Sequence, residues 1–99
     1  MPKAVMFISF KLAAGKTVPD FVLISKKVHS EFISKQKGYI SWKQLRDGER
    51  WVDLLEWETI EDAQHAMAAS EKDATSAELF PFIDEASMKI DFFSVENDF

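Results

Sequence analysis

The sequence predicts an α+β domain in the ferredoxin-like order β-α-β-β-α-β, a four-stranded antiparallel sheet carrying both helices on one face. Three observations predict it. The run AVMFISFKL at 4–12 is nearly all apolar, as a central strand covered on both faces should be. A stripe at helical spacing follows it (Phe21, Ile24, Val28, Phe32), and two aromatic-rich strands then flank an Asp-Gly pair. A second helix-then-strand pattern completes the chain.

In the first strand one parity, Ala4, Met6, Ile8, Phe10 and Leu12, is wholly apolar, whereas Val5, Phe7, Ser9 and Lys11 are mixed. The opening apolar run is flanked by Lys3 and Lys11, broken by Ser9 and lacks a small-residue cleavage site, so it reads as a strand rather than a signal peptide. Pro19 suits a first helical position, and the stripe widened by Val22, Ser25, His29 and Ile33 predicts about five turns ending near Gly38. Tyr39 to Leu45 is the second strand, with Ile40 and Trp42 expected on one face and Tyr39, Ser41 and Lys43 on the other. Arg46-Asp47-Gly48-Glu49 is a hairpin loop, and Trp51 to Trp57 its antiparallel partner. Thr59 is an N-cap with Asp62 three residues on, and Ile60, Ala63 and Met67 form the buried stripe of a helix that continues, with a break, to Phe80. Pro81 ends or kinks it, and Met88 to Val95 is the last strand.

With no internal repeat, low-complexity segment or linker, residues 1–99 read as one domain. Hydrophobic content of 46%, with 13% aromatic residues, supplies a core and places the chain outside the disordered class. Both faces of the strands carry large apolar groups, yet two helices cover one face. A second copy of the chain is the expected cover for the other.

Several chemistries are excluded or disfavoured. Without cysteine there is no thiol catalysis, no disulfide and no Cys-based metal site. The two histidines have no His-x-x-Glu or His-x-His spacing, so no metal is expected. A net charge of −5 repels phosphate backbones and anionic membranes. The densest basic stretch (Lys26, Lys27, Lys35, Lys37) is spread around a helix and interrupted by Glu31. An RNA-binding domain of this topology needs a basic residue, a glycine and stacking aromatics on the third strand, which here reads RWVDLLEW. No Gly-x-Ser-x-Gly elbow is present, and Gly15, Gly38 and Gly48 are scattered at turns. No apolar run reaches the ~20 residues of a membrane span, and the expected location is the cytoplasm.

The runs Gly38-Tyr39-Ile40-Ser41, Asp47-Gly48, Trp51-Val52-Asp53 and Trp57-Glu58-Thr59-Ile60-Glu61-Asp62-Ala63 resemble the dimeric α/β-barrel superfamily, and within it the antibiotic-biosynthesis-monooxygenase-like proteins. The resemblance implies a homodimer whose sheets face each other, and a ligand pocket between helices and sheet in each protomer. It also implies a cofactor-independent oxygenase acting on an aromatic or quinol-like substrate as the activity to test, and so no other cofactor. The haem-degrading branch fits poorly. Counted from Trp57, its helical tryptophan falls on Ala66 and its histidine on Ser76, and the first strand has no asparagine.

Six residues are candidates for a site. His29, on the shoulder of the first helical stripe, is the side chain best placed to relay a proton near neutral pH. Asp53 is the second catalytic candidate, a carboxylate in line with Trp51, Leu55 and Trp57, for which a hydrogen-bonded partner is expected. Ser9, Tyr39, Trp42 and Trp57 are the ligand-binding candidates, aromatic walls with polar groups to orient an apolar or aromatic molecule. His65 has Glu61 and Asp62 nearby but lies almost opposite its helix's apolar stripe, and is expected at the surface. The competing reading is a non-catalytic dimeric module in which aromatics fill the interior and no pocket remains.

Overall fold

Strand β1 (Ala4–Phe10) lies at the centre of a four-stranded sheet in the computed structural model, which describes residues 2–99. The sheet order is β2-β3-β1-β4, with β2 Tyr39–Asp47, β3 Arg50–Trp57 and β4 Lys89–Ser94, and the pairings among them are antiparallel. This is the ferredoxin-like arrangement, with α1 (Val18–Glu31), α2 (Ile60–Ser70) and α3 (Ala74–Leu79) on one face.

Helix starts follow from capping. Thr17, Thr59 and Asp73 each accept a hydrogen bond from a backbone N–H three residues on, satisfying a donor that the first turn leaves free. Helix α1 is shorter than its stripe suggests. Phe32 departs from helical geometry (φ −131°, ψ −66°) and the chain continues as a 3-10 turn, Ile33–Lys35. The expected break in the second helix falls at residues 71–73, between α2 and α3. Pro81 lies within a 3-10 turn at Phe80–Phe82.

The β2–β3 turn uses Gly48 and Glu49 as its two central residues, between the paired Asp47 and Arg50. Gly48 takes φ 62° while Glu49 has no positive φ, which is the type II′ pattern with glycine first. Gly38 is held more tightly. Its φ is 82°, its carbonyl accepts from Glu58 N at 2.8 Å, and an added Cβ would collide with the Asp62 side chain.

The strand registers sort the side chains. Met6, Phe10, Trp51, Leu55 and Trp57 point to the helices and are buried with Phe21, Val28, Ala63, Ala66 and Leu79. Phe21 makes edge contacts with Phe10 at 5.7 Å and Trp51 at 5.1 Å, anchoring α1 over one end of the sheet. The opposite face carries Val5, Phe7, Leu45, Val52, Leu54 and Phe93, with Lys43, Glu56, Lys89 and Asp91 among them. No element of the described chain covers it: Leu45 is 47% and Phe93 54% exposed.

One expectation about β2 is corrected here. The pairing slips between Tyr39 and Ser41, so that Tyr39 opposes Trp57 and Ser41 opposes Glu56. Ile40 is the extra residue of a β-bulge, and the inserted residue reverses parity. Tyr39 therefore shares the helix face with Trp42 instead of lying opposite it.

Candidate functional site

Across the middle of the helix face runs the row Gln44, Asp53, Ile8, Ile90, one residue from each strand. The bulk on either side of it comes from Trp42, Leu55, Met6 and Phe92, and from Trp51 and Phe10. Above it the helices present small side chains: Ala66 and Ser70 from α2, Ser76 from α3. Short side chains above and below leave a cavity of about 210 Å³, bounded also by Val28, Ile33, Leu79 and Ile83. Its outer part is lined by Glu71, at the α2–α3 break, and by Phe80 and Met88, each 40% exposed. That volume exceeds the ~150 Å³ apolar cavity known to accept benzene.

Asp53 is the chemical feature of this space. It is 4% exposed, and Oδ1 has no hydrogen-bond partner. Burial away from water disfavours the charged carboxylate and pushes its pKa up to about 6. The Trp42 indole and the Gln44 amide oppose that shift from nearby, yet Oδ1 and Trp42 Nε1 are both left without a hydrogen-bond partner. Gln44 is engaged elsewhere, donating from Nε2 to Ser25 Oγ at 3.0 Å. The other interior hydroxyls are also committed: Ser70 donates to the Met67 carbonyl and Ser76 to Asp73. What remains is a carboxyl poised near neutrality and an indole N–H without an acceptor, in an otherwise apolar enclosure. Such a carboxyl can take a proton from a bound molecule at physiological pH.

The architecture around this cavity recurs in solved structures. SnoaB from Streptomyces nogalater, a cofactor-independent oxygenase, superposes with a TM-score of 0.78 over 99% of this chain and 97% of its own, at 13% identity. A protein from Bordetella bronchiseptica, described as a candidate antibiotic biosynthesis monooxygenase, gives 0.77 over 94% and 96%, also at 13%. The Nitrosomonas europaea protein of the same description gives 0.71 over 95% and 90%, at 15%. The fold is that of the antibiotic-biosynthesis-monooxygenase proteins. At these identities the likeness establishes the monooxygenase-type fold and leaves chemistry to the residues of this chain. No family model matches the sequence, and no curated protein matches it.

Within this monooxygenase-type fold the six candidates separate. Asp53 and Trp42 line the cavity together. The expectation of a hydrogen-bonded partner for Asp53 is not met at Oδ1, although the Trp42 indole and the Gln44 amide lie near enough to favour its charged form. Ser9 has the opposite parity to Asp53, pairs with Val52 and Lys89, and so stands on the uncovered face rather than by the cavity. Trp57 is fully buried in the packed end of the core, 5.9 Å from Tyr39, and lines no part of the cavity. His29 is exposed and lines a separate outer groove with Val22, Ser25, Lys26, Trp42 and Gln44. Its ring lies 5.7 Å from Tyr39 and 6.4 Å from Trp42, so the Trp42 indole stands between the histidine's groove and the cavity. His65 is exposed, as its helical phase requires.

Gln44, Ser76 and Glu71 are the residues that sequence reasoning missed. Gln44 was accessible, because counting back from a Gly48–Glu49 turn pairs it with Asp53. No sequence signal marks Ser76 or Glu71, which reach the cavity through the break between α2 and α3. Among the described residues no cluster of three or more His, Asp or Glu could hold a metal, and no helix is long and apolar enough to cross a membrane.

Proposed function

We propose that this protein binds a small aromatic or quinol-like molecule in the helix–sheet cavity and oxygenates it without a cofactor, with Asp53 as the base. The observation that carries this reading is the buried, unpartnered carboxyl in an apolar enclosure that shields a bound molecule from water. In the reaction, Asp53 removes a proton from an activated ring C–H or O–H. The resulting anion is electron-rich enough to reduce O2 directly and form a hydroperoxide. Loss of water then leaves a ketone, so that a ring CH2 and O2 become C=O and H2O. The substrate supplies all four electrons. Asp53 returns its proton to the departing oxygen, and the apolar walls keep the anion from being quenched. Trp42 is the aromatic wall against which a flat ring rests. SnoaB, a cofactor-independent oxygenase, shares this fold.

Oxygen uptake with a panel of anthrones and hydroquinones tests the proposal. Turnover should rise with pH through about 6, where Asp53 ionises. Asp53→Asn should lower it by roughly 10²- to 10⁴-fold, the usual worth of a positioned base. Neither binding nor uptake with any member would end the enzyme reading.

The homodimer belongs to the same proposal. Phe7, Leu45, Leu54 and Phe93 form an apolar patch on the uncovered sheet face, mixed with charges of both signs, so a second copy can match it. Sedimentation at micromolar concentration should give twice the 11.4 kDa chain mass, and a monomer would contradict it. The cavity speaks against the alternative of an interaction module without a pocket.

A further inference from the structure

The groups lining the cavity are one-sided in charge and complementary in hydrogen bonding. Its ionisable side chains are Asp53 within and Glu71 in the outer part, and no lysine, arginine or histidine of the described chain contributes. Asp53 Oδ1 and Trp42 Nε1 are both buried and both without partners. They stand on adjacent strands of one face, Trp42 opposing Leu55 and Asp53 opposing Gln44, which makes them diagonal neighbours.

An indole N–H can only donate, and an ionised carboxylate can only accept. One hydroxyl satisfies both, since its oxygen accepts from Trp42 while its proton goes to Asp53. A bare hydrocarbon ring leaves both atoms unsatisfied. A carboxylate could accept from Trp42, but it would face Asp53 and would have to pass Glu71. Asp53 is buried, and at a buried site like charges repel more strongly than in water.

We propose that the cavity selects uncharged, hydroxyl-bearing ring compounds: Trp42 and Asp53 hold one ring hydroxyl between them, and Asp53 with Glu71 turns away ring carboxylates. This inference rests on the reading that the Asp53 cavity is the ligand site, but it does not require that the ligand be oxygenated there.

Four probes of one shape test it: naphthalene, 1-naphthol, 1-naphthoate and 1-naphthylmethylamine, titrated calorimetrically into the intact protein at pH 7.5. 1-Naphthol should bind at least about tenfold tighter than naphthalene, the usual worth of a hydrogen bond to a charged acceptor. 1-Naphthoate should bind weakest. Trp42→Phe, with its folding checked by circular dichroism, should bring the naphthol-to-naphthalene ratio towards one, and Glu71→Gln should strengthen 1-naphthoate binding severalfold. If naphthalene binds as well as 1-naphthol, the hydroxyl site is overturned while the cavity remains a ligand site. Tightest binding by the amine would overturn it in favour of a cation site. If none of the four binds, the ligand-site reading falls with it. A strong 1-naphthol preference without oxygen uptake on any hydroxylated anthrone supports the hydroxyl site and overturns the oxygenase reading alone.

Discussion

The two faces of the sheet are built from alternate residues of the same strands, and they meet opposite fates. On the helix face Met6, Phe10, Trp51, Leu55 and Trp57 are sealed by helices, and the one charged residue among them, Asp53, is sealed too. On the other face Phe7, Leu45, Leu54 and Phe93 have no cover from any element of the described chain. The difference separates two meanings of misplacement. A polar group enclosed by apolar walls marks chemistry, whereas apolar groups open to water mark association.

The largest effect expected on this contrast comes from emptying the covered face. Trp57→Ala should cost about 3 to 5 kcal/mol in urea unfolding, because a fully buried indole leaves a void that small neighbours cannot fill. Next is Asp53, where the sign is the reverse of an ordinary surface acid. Its pKa rises from 3.8 to about 6 on folding, so the folded state binds the proton more tightly. The native protein therefore holds its full share of this stability below pH 3.8 and loses it as pH rises through 6. The loss amounts to about 3 kcal/mol, at 1.36 kcal/mol per pKa unit. Asp53→Asn lacks this titration. Its stability relative to the native protein should improve by about that amount between pH 3.5 and 7.5, measured by denaturant melts at both values.

Much of this contrast was legible in the chain. The parity of the first strand, the hairpin glycine and the Thr59 cap set the element order, and apolar residues on both parities announced an uncovered face. Three things were not legible. The bulge at Ile40, which carries Tyr39 round to the helix side, has no turn residue to betray it. The cavity depends on Ala66, Ser70 and Ser76 coming over Ile8 and Asp53, and a small residue in a helix reads equally well as close packing. That Asp53 Oδ1 would be buried without a partner depends on how Trp42 packs and on the engagement of Gln44 by Ser25. Side-chain orientation of that kind is decided only when the layers meet.

On the uncovered face, Phe93→Lys should shift sedimentation from dimer to monomer and leave 1-naphthol binding in place, since Phe93 lies on the side of the sheet away from the cavity. Loss of both together would show that the two faces are coupled. The smallest effect is expected at His65, exposed on α2. His65→Ala should change stability by no more than about 0.5 kcal/mol and oxygen uptake not at all.

The most direct test of the idea that the covered face is the working face is a pH titration of the Asp53 side-chain carboxyl carbon by NMR, with and without 1-naphthol. The expected result is a midpoint at about 6 that moves when the ligand is added. A midpoint near 4, indifferent to ligand, would mean a solvated carboxyl and would contradict it.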